Sequence, residues 1–120
     1  MKKLTLALAG AAALAFGSGA LAADLAAGKA AYEKFNCASC HGADAKSPTM
    51  AAYPILAGQY SDYLEHALRA YKRGTAGAPA TANIRKNAIM GAMVAPLSTA
   101  DIQNISAWLA SLPSSLAVRK

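Results

Sequence analysis

The stretch Cys37-Ala38-Ser39-Cys40-His41 decides how this chain is read. It contains both cysteines of the 120-residue sequence, with a histidine directly after the second. Three ordinary uses of such a pair fit poorly. A disulfide across two intervening residues closes so small a loop that it restricts the unfolded chain very little. A thioredoxin-like redox pair belongs beside the strands of a βαβ unit, and no stretch of this chain alternates apolar and polar residues as a strand does. A zinc site takes four ligands. Beyond Cys37, Cys40 and His41 the chain offers a distant His66 and no second paired motif.

The pattern that does fit is C-x-x-C-H, the attachment signature of a c-type haem. Two thiols on one turn of chain reach the two vinyl groups of one macrocycle and form thioethers. The next side chain, His41, then presents its imidazole to the iron as the proximal ligand. Covalent attachment suits a protein that leaves the cell, because the cofactor cannot be lost by dissociation.

Upstream, the sequence supports export. Met1-Lys2-Lys3 is positive, Leu4–Ala23 carries no charge, and Gly17-Ser18-Gly19 leads into Ala20-Leu21-Ala22. This is the three-part layout of a secretory signal peptide with cleavage after Ala22. The alternative is an uncleaved membrane anchor, since the apolar run is long enough to span a bilayer. Residues 1–22 are thus expected to be a signal peptide and 23–120 the functional domain, periplasmic and with no stable membrane insertion. Loss of Lys2 and Lys3 lowers the formal charge from +6 to +4. With only 15% charged residues the chain is not a disordered polyelectrolyte. The basic residues are scattered and no aromatic residues interleave with them, so nucleic acid is not expected as a partner.

Three amphipathic helices flank the motif. The first is expected from Leu25 to Phe35, capped by Asp24, with Leu25, Gly28, Tyr32 and Phe35 on one face. The second is expected from Ser61 to Arg73, with Tyr60, Tyr63, Leu64, Ala67, Leu68 and Tyr71 as its stripe and Gly74 as its stop. The third is expected from Thr99 to Leu112. Ser98 and Asp101 resemble a capping box, Leu97 and Ile102 a hydrophobic staple, and Pro113 ends the helix. The intervening stretches Gly42–Gln59 and Gly74–Asn87 are long and irregular. Loops of that length in a small domain call for something that orders them, and three short helices alone make a thin core.

A second axial ligand would come from the other side of the iron. Met50 lies too near the motif to cross to the opposite face. Met90 and Met93 fall before the last helix, and either is a soft enough ligand. Packing in an irregular gap is the ordinary role of such residues. His66 falls on the polar face of its helix and reads as a surface residue.

With these residues in hand, the chain resembles a class I c-type cytochrome of the bacterial periplasmic group that includes cytochrome c4. The resemblance rests on Gly28-x-x-x-Tyr32, Cys37-x-x-Cys40-His41-Gly42, Tyr53-Pro54-Ile55-Leu56-Ala57-Gly58-Gln59, Tyr63-Leu64, Gly77-Ala78-Pro79, Met90-Gly91-Ala92-Met93, Pro96-Leu97-Ser98, Asp101-Ile102 and Trp108-Leu109. Each motif beyond C-x-x-C-H is weak alone; their order and spacing together are specific. Cytochromes c4 carry two such domains in tandem, whereas this chain has one and is similar to short monohaem cytochromes of the c553 type.

The resemblance implies an all-α class I cytochrome c fold, with three main helices and long loops wrapped around one covalently bound haem c. It implies Cys37 and Cys40 as thioether attachments, His41 as proximal ligand and Met90, by its spacing to Leu97, as the axial methionine. It also implies that the Pro54 carbonyl accepts the His41 Nδ1 proton, that Leu56 packs on the haem, and that Gly28 and Tyr32 meet Trp108 where the first and last helices cross. A haem with both axial positions filled by His41 and Met90 carries single electrons and performs no catalysis. Its partners would be redox proteins such as a respiratory complex or a terminal oxidase, with Lys46, Lys72, Arg73 and Lys86 as candidate steering charges. The alternatives are a labile sixth site with peroxidase-like or gas-binding behaviour, and a haem subunit of a larger oxidase complex.

Overall fold

Asp24 opens the described structure's first helix, accepting a hydrogen bond from the Ala27 N–H through Oδ1 at 3.0 Å. This is a computed structural model, and it describes residues 22–115. The expected signal peptide therefore lies, but for Ala22, outside the described residues. Helix α1 spans Leu25–Lys34 and α2 is the single turn Ala38–His41. Helix α3 spans Ser61–Thr75, α4 Ala88–Val94 and α5 Thr99–Ser111, with a 3-10 turn at Ala80–Ala82 between α3 and α4. No strand occurs among the described residues. The three expected long helices are present, and the two short ones, α2 and α4, are additions. One carries the cysteine motif and the other both late methionines.

Helix α1 crosses α5 at Gly28. A side chain there would collide with the Asn104 carbonyl and with Trp108 Cβ, so only glycine lets the two backbones come this close. One turn later Tyr32 stacks at a tilt on Trp108, ring centroids 4.9 Å apart. The Asn104 side chain also accepts from the Asp24 N–H, which ties the start of α1 to the middle of α5. Helix α5 opens with the expected capping box. The Asp101 N–H donates to Ser98 Oγ, and the Ser98 N–H donates back to Asp101 Oδ2. Leu97 and Ile102 are both buried in the core that α1, α3 and α5 share with Tyr32, Leu64, Val94, Ile105, Trp108 and Leu109.

Helix α3 departs from expectation at its end. It runs through Gly74 to Thr75 instead of stopping at Gly74. The reason for that glycine is tertiary: a side chain would strike the Arg85 carbonyl, which lies against the helix. The left-handed turn that follows is at Gly77. The stripe also differs, because Tyr60 and Tyr63 are exposed while Ala70 is buried.

The irregular segment 42–59 is ordered by hydrogen bonds to its own backbone and to α5. Buried Ala45 accepts from the N–H groups of both Leu56 and Ala57. The Gly58 N–H donates to the Leu109 carbonyl. Asp44 anchors the turn by accepting from the Lys46 and Ser47 N–H groups. Those bonds, the Lys46 N–H first, hold its carboxyl below the usual range.

Candidate haem site

Between α3, α4, α5 and the 42–59 segment lies a cleft of about 360 Å³. That volume falls in the range of small-molecule and cofactor pockets. Cys37, Cys40 and His41 line one side, with Tyr53, Pro54 and Leu56 next to them. Met90 and Met93 line it from α4, Leu64 and Leu68 from α3, and Ile105 and Leu109 from α5. No carboxylate is among these residues. Hence the cleft is apolar, with a few chemically distinctive groups set into its wall.

The motif's single turn places both cysteines and His41 at one end of the cleft. Asn36 precedes it in a left-handed conformation (φ 57°), which breaks α1 and lets the chain start a new turn. The Thr49 N–H donates to the Cys40 carbonyl and fastens the turn's far side. Neither cysteine is in a disulfide. Burial pushes the Cys37 thiol up from its ordinary value, so it favours the neutral form.

His41 is 6% exposed, and its Nδ1 lies 3.0 Å from the Pro54 carbonyl. A carbonyl can only accept, so Nδ1 carries the proton and Nε2 keeps its lone pair for a metal. The residue after it is also held: the Tyr32 hydroxyl, at 1% residue exposure, donates to the Gly42 carbonyl at 2.8 Å. Burial pushes this phenol well above its usual range, so it acts as a neutral donor at any physiological pH.

Both methionines reach the cleft from α4, whose first turn is capped by Asn87 Oδ1 accepting the Met90 N–H. Met90 packs against the buried core. Met50 is 57% exposed and lies outside the cleft. His66 is exposed, as its place on the polar face implied. Among the described residues no group of His, Cys, Asp and Glu is arranged to hold a metal ion by itself. The zinc alternative therefore lacks a ligand set, whereas a macrocycle brings its own four nitrogens and needs only axial ligands. The residues present fit a haem: two thiols on one turn, an imidazole with its outer nitrogen fixed, two thioethers and an apolar lining.

Two expectations about surface charge need correcting. The Lys72 ammonium donates to the Leu97 carbonyl, and Arg73 donates to the Asn83 carbonyl. Both are tied to neighbouring backbone, so they brace α3 against the chain on either side of α4 instead of reaching out from the surface. Lys46 and Lys86 are exposed. Arg85, by contrast, is a cleft residue that the sequence alone leaves among the scattered basic residues. Its guanidinium sits over the rings of Tyr63 and Tyr71 at 5.5 and 5.6 Å. The signal that could have found it is the pair of tyrosines eight residues apart on the α3 stripe, since such faces attract a cation.

The comparisons agree with this site. The family model for cytochrome c matches residues 25–113. Cytochrome c-554(547) of Halothiobacillus neapolitanus is 40% identical over 98 residues, covering 76% of this chain and 99% of that protein. A protein named thiosulfate dehydrogenase electron acceptor, from Stutzerimonas stutzeri, is 34% identical over 118 residues, covering 95% of this chain and 50% of its own length. Among solved structures, reduced cytochrome c4 from Pseudomonas stutzeri superposes with a TM-score of 0.68 at 35% identity, over 79% of this chain and 48% of the other. The chain thus spans almost all of the first and about half of the other two. With its helices, its cleft and its C-x-x-C-H turn in the places this fold requires, the chain belongs to the cytochrome c family and carries haem c.

Proposed function

We propose that this chain is a periplasmic monohaem electron carrier whose haem is tethered by Cys37 and Cys40 and ligated by His41 and Met90. The observation that carries the proposal is the His41–Pro54 hydrogen bond at 3.0 Å on a buried ring at the cleft wall. When bound, the haem supplies a one-electron couple. The Pro54 carbonyl fixes the imidazole's tautomer and raises its basicity. Met90, soft and neutral, favours the ferrous state and so a higher potential. Leu64, Ile105 and Leu109 exclude water from the couple. With both axial positions filled by side chains, oxygen and peroxide have no free position, which argues for electron carriage over peroxidase or gas-binding chemistry.

Redox proteins are the partners of such a carrier. A relative named as an electron acceptor of thiosulfate dehydrogenase supports a redox enzyme as donor. A respiratory complex or terminal oxidase is the proposed acceptor, with exposed Lys46 and Lys86 available to steer an acidic face. Export rests on the sequence of residues 1–22. Among the described residues no helix is long and apolar enough to cross a membrane.

A visible and near-infrared spectrum of the purified holoprotein tests the ligand set. Ferric wild type is expected to show the weak near-infrared charge-transfer band of a thioether-ligated haem. Met90→Ala should lose it and Met93→Ala should keep it. The reverse pattern would move the ligand to Met93. A wild type without the band that binds carbon monoxide or peroxide readily would instead favour the open-site reading.

A further inference from the structure

A second pocket, of about 170 Å³, lies between α3 and the start of α5 and shares no lining residue with the haem cleft. Arg69, Lys72, Arg73, Thr99 and Ile102 line it. The three cations stand at i, i+3 and i+4 on one face of α3, where like charges repel. Each is partly buried, and fully buried Ile102 gives the pocket an apolar side. No carboxylate lines it. The two carboxylates nearest to these cations are already engaged. Glu65 Oε1 accepts from Arg69 Nε and Nη2. Asp101, which feels the charge of Lys72, accepts from the Ser98 N–H and hydroxyl.

The donors in this pocket outnumber their partners. The Lys72 ammonium carries several N–H groups and directs one to the Leu97 carbonyl. Arg73 directs Nη2 to the Asn83 carbonyl, and its Nε–H is buried with no hydrogen-bond partner. A buried, unpaired donor on a charged group is costly, and an ion is an ordinary remedy. Thr99 adds a neutral hydroxyl. Guanidinium forks beside an ammonium match an anion with several oxygens better than a halide. We infer that this pocket binds a small free tetrahedral oxyanion of the phosphate or sulfate class. The anion would also tie together the segments that flank α4, because Arg73 holds Asn83 before that helix and Lys72 holds Leu97 after it. A ligand that binds only the folded chain stabilises it by mass action.

The test is titration calorimetry of the holoprotein with inorganic phosphate and with sulfate, against sodium chloride at matched ionic strength. Phosphate or sulfate is expected to bind saturably, one per chain, and chloride is not. Arg73→Gln and Lys72→Gln should each weaken binding at least about tenfold. Lys29→Gln, on the exposed surface of α1, should leave it unchanged. Denaturant unfolding gives a second readout. At ten times its dissociation constant the anion should raise the folding equilibrium constant of wild type about elevenfold. The same concentration should do far less for Arg73→Gln. Absence of saturable binding, or full-strength binding in both pocket variants, overturns the inference. Two other results do so as well when neither free anion binds. Slower electron exchange with a redox partner in Arg73→Gln would assign the pocket to protein docking, and retention on phosphatidylglycerol vesicles would assign it to a membrane surface. If Arg73→Gln does not fold, Arg69→Gln decides, since that side chain is bonded to Glu65 alone among the described residues. Weakened anion binding there supports the inference, and unchanged binding overturns it.

Discussion

The crossing of α1 on α5 and the wall formed by residues 74–97 are built on different principles. The crossing is a close-packed junction. Gly28 permits contact, Tyr32 and Trp108 fill it, and the Asp24 and Ser98 caps fix the helix starts. The wall has little regular structure beyond seven-residue α4 and hangs on discrete anchors: Arg85 on Ala70, Lys72 on Leu97, Arg73 on Asn83. The first region supplies stability; the second supplies one wall of the cleft, with Arg85, Met90 and Met93. Packing is cooperative and tolerates little, whereas a wall held at points can carry an unusual residue between them.

The strongest way to break this contrast is Trp108→Ala. Removing a ring that is 8% exposed at the crossing should cost about 3–5 kcal/mol in denaturant unfolding, while the near-infrared band persists in whatever fraction stays folded. Met90→Ala inverts the pattern. Its unfolding free energy should fall by about 2 kcal/mol, the low end of the core range because Met90 is only partly buried, yet the axial band should vanish altogether. Equal spectral damage from both variants would mean that the two regions are not separable. Smaller still is Ser98→Ala, which removes one half of the capping box and should cost about 1 kcal/mol without spectral change. The smallest effect is acid dependence at the same cap. The Ser98 hydroxyl and N–H hold the Asp101 carboxyl below its ordinary value. Its contribution is therefore full above that ordinary value, about pH 4, and fades as pH falls through the lowered one. Asp101→Asn should flatten stability across that acid range and leave the crossing otherwise intact.

The same contrast explains what was legible in the sequence. Helix α5 could be read closely because its signals are local: Ser98, Asp101, the Ile102–Ile105–Trp108–Leu109 stripe and Pro113. The turn carrying Cys37, Cys40 and His41 was legible because the chemistry fixes the spacing. The end of α3 was not, because Gly74 looks like a local stop and is in fact a tertiary accommodation for Arg85. Helix α4 has no charged face and no periodic stripe, so nothing local announces it. Lys72 and Arg73 read as surface charge because a bond to a distant carbonyl leaves no trace in neighbouring residues. The Pro54 acceptor was expected only through the family resemblance; no rule of spacing points from position 41 to a carbonyl at 54.

Tyr32 belongs to both regions at once. One face of its ring meets Trp108, and its hydroxyl holds the carbonyl of the residue following His41. With Pro54 restraining Nδ1 from the other side, the imidazole is clamped between the rigid crossing and the ordered 42–59 segment. As the proposed proximal ligand, an imidazole so clamped would move little when the iron's charge changes by one. Reorganisation on electron arrival or departure would thereby be kept small, so that a tyrosine buried at the helix crossing would help to set the speed of exchange.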